Sequence, residues 1–227
     1  MSDRDALPLG PDAREALEKI LGLLAQERAS VSSVTAPSRA WKVHVADSLT
    51  GLTAGGLSSA RTIADIGSGA GFPGLVLALA LPSAQVDLIE SVGRKCDFIG
   101  RAIEAGGIAN ARVLHARSEE VAAEDGREAY DAATARAVGR LSTLAELASP
   151  LLRDDGALIA WKGRRDPEEE AQMERAAPQL AMRHEEILPV GPYAGSEHRH
   201  LHVIRKAGPT PADLPRRPGM AKKRPRG

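Results

Sequence analysis

The sequence predicts an α/β protein, with a doubly wound, mostly parallel, seven-stranded sheet behind an N-terminal helical cap. Three observations predict it. From Thr62 onward, short β-branched or apolar runs alternate with stretches of helical periodicity, the pattern of parallel strands joined by right-handed crossovers. The first of these strands runs straight into a glycine cluster that opens a helix, where a doubly wound sheet holds a nucleotide-like ligand. The chain has 227 residues, 43% hydrophobic and 26% charged, which suffices for a soluble domain that buries its own core without metal or disulfide.

The elements follow in order. Pro11 and Asp12 lead into a helix over Ala13–Glu27, with Ala16, Leu17, Ile20, Leu21, Leu23 and Leu24 at helical spacing and Asp12 as its cap. Residues 28–38 are a Ser-rich connection, and Arg39–Leu52 is helical again until Gly55 and Gly56. Thr62–Ile66 is the first strand and Leu75–Leu81 the helix after the glycines. Val86–Glu90, Ala111–His115, Tyr130–Thr134 and Gly156–Trp161 read as the next four strands. Lys95–Ala105, Glu119–Ala123, Leu141–Leu152 and Pro167–Leu180 read as helices. Arg183–Pro189 and His200–Arg205 are two last strands with no room for a crossover helix, so they form a hairpin. The resulting division is a helical cap over 1–58, the sheet domain over 59–207 and a disordered basic tail over 208–227.

Lys plus Arg and Asp plus Glu both number 30. That balance hides an asymmetry: residues 216–227 carry Arg216, Arg217, Lys222, Lys223, Arg224 and Arg226 and no acid. An acidic body with a basic tail suggests a polyanionic partner; the plain alternative is a solubilising end. Cys96 is the only cysteine, which excludes a disulfide framework and a Cys-rich zinc site. No apolar run reaches the ~20 residues of a membrane span, and the polar N-terminus does not resemble a signal peptide. A cytoplasmic monomer without metal is the expectation.

The segment Asp65-Ile-Gly-Ser-Gly-Ala-Gly-Phe-Pro-Gly74 is the most informative. A dinucleotide loop wants G-x-G-x-x-G, and counting from Gly67 its third glycine position is Phe72. The spacing is instead G-x-G-x-G over Gly67, Gly69 and Gly71, with Asp65 two residues ahead. An acid there suits a ligand carrying ammonium or sulfonium charge better than a pyrophosphate, which favours S-adenosylmethionine. Glu90 ends the second strand, where an acid can bind both ribose hydroxyls. Ser118 and Glu119 follow the third strand, where a carboxylate can accept from an adenine amine; Glu119 is equally readable as a helix-start acid.

These residues carry a family resemblance. The glycine segment through Phe72-Pro73-Gly74, with Glu90-Ser-Val-Gly-Arg-Lys95, resembles the glucose-inhibited division protein B family of bacterial small-subunit rRNA methyltransferases. Trp41-x-x-His44-x-x-Asp47-Ser48, Arg136-Ala137, Lys162-Gly163 and Arg199-His200-Leu201 match it too, across roughly residues 41–205. The resemblance implies a class I S-adenosylmethionine-dependent methyltransferase domain over 59–207 that methylates guanine N7, at position 527 of 16S rRNA, in the 30S subunit or its assembly intermediate. It places Gly67 and Phe72 against the cofactor, Glu90, Ser91, Val92 and Gly93 along its ribose and adenine side, and Ser118 and Glu119 on the adenine. It puts Arg136 near the methionine end or the base, and Arg117, Lys162 and Arg199 toward RNA. The chain departs from the family in residues 28–35, which lack the usual Trp and Asn, in Val43 before His44, and in the basic tail.

Guanine N7 has no proton to lose, so alignment does most of the work. Asp65 or Asp47 is a candidate to stabilise positive charge on the product base. Arg117, Arg136, Lys162, Arg164, Arg165 and Arg199 fall at strand ends and would form one rim. Arg216, Arg217, Lys222, Lys223 and Arg224 extend the RNA-binding set, and deleting 216–227 should weaken RNA binding while sparing cofactor affinity. His198, His200 and His202 alternate but lack a fourth ligand for a metal. Two other readings remain open: a small-molecule methyltransferase, and a non-catalytic ribosome- or RNA-binding module.

Overall fold

The computed structural model describes residues 8–27 and 31–227. Seven strands, β1 (Thr62–Ile66), β2 (Gln85–Glu90), β3 (Ala111–His115), β4 (Tyr130–Arg136), β5 (Leu152–Lys162), β6 (Met182–Val190) and β7 (Arg199–Lys206), form one sheet in the order β3-β2-β1-β4-β5-β7-β6. The first five are mutually parallel; β7 runs antiparallel to both β5 and β6. The strand order reverses between β1 and β4, and ligands of doubly wound sheets bind beyond the carboxyl ends of strands at such a point.

Helices cover both faces. The cap comprises α1 (Pro11–Gln26), α2 (Pro37–Ala40), a π-helical turn over Trp41–Ala46 and α3 (Asp47–Leu49). It packs on one face with α4 (Gly74–Ala80) and α5 (Gly93–Gly106). There Leu17, Ile20, Leu24, Trp41 and Val45 share a core with Ile63, Leu75 and Phe98. The other face carries α6 (Ser118–Ala123), α7 (Leu141–Ala148) and α8 (Pro167–Ala176), whose Leu144, Ala148 and Met173 pack with Ile66, Ala133 and Leu158.

Several expectations need correction. Asp12 does not cap α1: Gly10 stands there, Pro11 takes the first helical position, and Asp12 lies in the acidic first turn. α7 stops at Ala148: Ser149 still has helical φ and ψ, but Pro150 has no N–H to continue the ladder. β5 begins four residues early, at Leu152, which pairs with Tyr130 across an irregularity.

The largest departure is the tail. Residues 208–227 follow a defined course, ending in α9 (Met220–Lys223). Leu214 is buried in the core beside α7 and α8. Arg216 sits bidentate on the buried Glu146 carboxylate of α7, at 2.5 and 2.6 Å. A cation beside a buried acid is held far more firmly than a solvated one, so these residues do not form a free arm.

Candidate active site

Two clefts open at the carboxyl ends of the strands and meet at Gly67. The first, about 390 Å³, lies between Glu90 and Ser91 at the end of β2 and Arg117, Ser118 and Glu119 after β3. The second, about 560 Å³, lies between Gly69 and Phe72 of the loop and His44, Asp47, Arg136 and Arg199.

The loop glycines have different reasons to be glycine. All three take positive φ, +66° at Gly67, +62° at Gly69 and +87° at Gly71. A Cβ on Gly71 would meet Leu75 at 2.4 Å, and one on Gly67 would meet Val138 at 2.8 Å. A Cβ on Gly69 would meet only the Gly67 carbonyl, at 3.9 Å. Gly69 therefore faces open cleft, whereas Gly71 is required by packing and lies outside the lining of either cleft.

Asp65 also moves from the expected role. It is fully buried beneath the loop and lines neither cleft. Its Oδ1 accepts from Thr134 Oγ1 at 2.8 Å and its Oδ2 from the Gly74 N–H at 3.1 Å. Burial raises its pKa, against the lowering hydrogen bonds from Thr134, Ser68 and Gly74. Its work is to tie β1, β4 and α4 together so that the loop keeps its shape.

Glu90 is where the sequence places it. One carboxylate oxygen accepts from the Gly69 N–H at 3.0 Å and the other from the Val92 N–H at 2.9 Å. It thus clamps the loops after β1 and β2 while lining the first cleft. Val92 and Gly93 lie outside the lining; Val92 donates its N–H to Glu90 and Gly93 opens α5. Ser118 and Glu119 line the first cleft. The Glu119 carboxylate accepts from Ser118 Oγ at 3.3 Å and from the Gly219 N–H at 2.7 Å.

The second cleft is built around Asp47, which is fully buried. Its carboxylate accepts from Arg136 Nη1 at 2.9 Å and from Arg199 Nη1 at 2.9 and 3.0 Å. The Asp47 carbonyl accepts from Trp161 Nε1 at 2.8 Å, tying α3 to β5. Asp47 is thereby excluded as a free carboxylate beside a substrate base. Arg136 Nη1 also donates to the Val43 carbonyl, and Nη2 donates to His44 Nδ1 at 3.2 Å. A guanidinium only donates, so His44 Nδ1 is the acceptor and Nε2 carries the proton, donating to the Val34 carbonyl at 3.0 Å. The His44 ring stacks on Phe72, centroids 4.6 Å apart and planes within 6°. Burial and the Arg136 charge push the His44 pKa down to about 4, with the Val34 bond opposing.

The expected basic rim comes together only in part. Lys162 donates to Glu169 Oε1 at 2.7 Å and to the Gly139 carbonyl, so it lines the second cleft already paired. Arg165 is held by Glu170. Arg117 is exposed on the rim of the first cleft, beside Lys222 and Lys223. Arg217 and Arg224 are exposed. The alternating histidines do not converge: His200 Nδ1 lies by the Gly163 and His198 carbonyls, while His202 pairs with His184 on β6. Among the described residues no group of three His, Cys, Asp or Glu is arranged to hold a metal ion.

The family model for GidB, rRNA small subunit methyltransferase G, matches residues 15–201. The chain belongs to the GidB family. It is 43% identical to the ribosomal RNA small subunit methyltransferase G of Rubrobacter xylanophilus over 92% of this chain and 81% of that protein. It is 34% identical to the protein of that name from Moorella thermoacetica, over 99% of both. Solved structures show the same fold at lower identity. A predicted O-methyltransferase of Agrobacterium tumefaciens matches at TM-score 0.55 and 23% identity, covering 72% of this chain and 80% of its own. The Methanococcus jannaschii fibrillarin pre-rRNA processing protein matches at 0.56 and 15%, covering 72% and 74%. The GidB chain thus has the class I fold of S-adenosylmethionine-dependent methyltransferases. No helix among its described residues is long and apolar enough to cross a membrane.

Sequence reasoning missed how the motif residues His44 and Asp47 are used. Their Trp-x-x-His-x-x-Asp spacing puts them on one helical face, but only the fold brings Arg136 and Arg199 to them.

Proposed function

We propose that this chain transfers a methyl group from S-adenosylmethionine to N7 of a guanine, the one at position 527, in small-subunit rRNA, acting as a cytoplasmic monomer on the 30S particle or its precursor. One observation carries the reading: among the described residues, neither the carboxylate nor the imidazole of the second cleft is a free proton acceptor. Its carboxylate is buried under two arginines, and the His44 Nδ1 lone pair is taken by Arg136. Such a cleft suits a nucleophile that needs no deprotonation, and guanine N7 is one.

The residues present fit the cofactor. Gly69 offers a cradle that any Cβ would fill, and Glu90 and Glu119 line the cleft on the other side of Gly67. When bound, S-adenosylmethionine supplies an electrophilic methyl on a sulfonium. The chain supplies orientation. Glu90 would take the ribose hydroxyls, Ser91, Ser118 and Glu119 the adenine side, and Gly67 and Phe72 the surface between the clefts. Arg136 fixes His44 and so the Phe72 wall. Arg199, Arg117 and the free cations of the C-terminal segment would meet phosphates. The base must reach N7 exposure by being unstacked or already open.

The test is methyl transfer from labelled S-adenosylmethionine to 30S subunits lacking the modification, followed by borohydride and aniline cleavage. One labelled, cleavable guanine is expected. Label without cleavage refutes N7, and no label with intact cofactor binding refutes the finished subunit as substrate.

A further inference from the structure

We infer that the C-terminal segment is part of the cofactor site: residues Gly219–Lys223 form the outer wall of the adenosine end, and Gly219 orients Glu119. The inference rests on the reading that the first cleft takes the adenosine. Gly219, Ala221, Lys222 and Lys223 line that cleft opposite Glu90 and Ser118. The Gly219 N–H donates to Glu119 Oε1 at 2.7 Å, while Oε2 takes only the long 3.3 Å bond from Ser118 Oγ and keeps a lone pair for an incoming amine. The Ala221 carbonyl accepts from Thr143 Oγ1 at 3.3 Å, and Ala221 itself is 3% exposed.

The wall is anchored along its length. Leu214 enters the core, and its carbonyl accepts from Arg127 Nη1 at 3.0 Å. Arg216 grips Glu146, a carboxylate with 3% side-chain exposure, and also donates to the Arg224 carbonyl at 2.8 Å, closing the segment into a loop. Arg226 donates to the Gln179 carbonyl and pairs with Asp213. Without the segment Glu146 would lose both of its cationic partners among the described residues, Arg216 and Arg226, and Glu119 would lose its backbone donor. The segment is therefore a positioning element, and the Arg216–Glu146 pair is its clasp. A polyelectrolyte arm would need none of these contacts.

The test compares the wild-type chain with two variants by calorimetric titration of S-adenosylmethionine and of methylthioadenosine, which lacks the amino-acid end. In the first variant residues 216–227 are deleted and Glu146→Gln removes the orphaned charge; in the second the chain is intact and Ala221→Leu fills the wall. Thermal melting confirms that each folds. Both variants should lose about tenfold or more in affinity, the cost of an unmade bond to a charged group, and by the same factor for both ligands. If the deletion variant fails to fold, Ala221→Leu decides alone. Affinities within twofold of wild type in a folded variant, with only 30S binding weakened, overturn the inference and make the segment an RNA arm. A wild-type chain that binds neither ligand overturns the cofactor reading itself, and this inference with it.

Discussion

Asp47→Asn separates a carboxylate that organises the site from one that merely sits in it. Asp47 has no exposed surface and receives Arg136 once and Arg199 on both oxygens, all at 2.9–3.0 Å. The amide keeps one acceptor oxygen but turns an NH₂ toward a guanidinium. At about 1.5–3 kcal/mol per charge-assisted bond, two lost bonds would cost about 3–6 kcal/mol. The arginine side chains are 14% and 28% exposed and recover some water, so the expected loss is about 2–3 kcal/mol. Urea unfolding at pH 7 reads it as a lower midpoint at unchanged slope. A cycle with Arg199→Gln should show about 1–2 kcal/mol of coupling. Methyl transfer should fall further than stability explains, because Arg136 then no longer fixes His44. An Asp47→Asn protein within about 0.5 kcal/mol of wild type, with unchanged transfer, would refute the account of the second cleft.

Gly69→Val should abolish cofactor binding, since of the three loop glycines only Gly69 has a Cβ direction that meets no side chain and opens into the cleft, while Gly71→Ala should lower the melting temperature through its clash with Leu75; equal losses of affinity at matched stability would contradict the distinction. His44 and His202 are held neutral by burial, each pushed down to about 4 from 6.5. Below 6.5 the unfolded chain takes protons that the fold refuses, so stability falls from about pH 7 toward pH 4, by about 1.6 kcal/mol per histidine between pH 6.5 and 5. His44→Gln should shrink that fall, and an unchanged difference between urea midpoints at pH 7 and 5 would count against it. Arg216 and Arg226 are spent on acids, so the segment keeps four exposed cations, Arg217, Lys222, Lys223 and Arg224. Deleting 216–227 should then reduce the slope of log affinity against log salt by about 3.6 rather than about 5.4; a change near 5.4 by filter binding would free both arginines.

The fold was legible because strand runs, glycines and prolines punctuate the chain locally. The early start of β5 was not: Arg153-Asp154-Asp155 looks like a turn, and only pairing of Leu152 with Tyr130 makes it strand. Asp65 misled for a related reason. β1 is buried on both faces, so alternation along it does not reveal which residues point to a ligand. Gly69 and Gly71 are identical as letters and differ only through Leu75. The course of the C-terminal segment is not legible locally because the acids that hold it, Glu119 and Glu146, lie 100 and 70 residues earlier. A charge run reports its partners only when they are neighbours in sequence.

The two arginines of the second cleft have different work, and the bonding of each nitrogen assigns it. Arg136 spends Nη1 on Asp47 and the Val43 carbonyl and Nη2 on His44. Its fork is used within the protein. Arg199 spends only Nη1, both times on Asp47, and lies with its guanidinium carbon 5.7 Å from the Tyr193 ring centre. Its Nε and Nη2 have no partner among the described residues, and it is the more exposed of the two. Glu169 cancels Lys162 and Asp47 cancels one of the two arginines, so the cleft keeps one net positive charge, on the arginine with donors to spare. A phosphodiester would find a bidentate fork already fixed in direction by Asp47, and on the proposed function Arg199 would be the contact residue, with Asp47 and Arg136 as the frame that aims it.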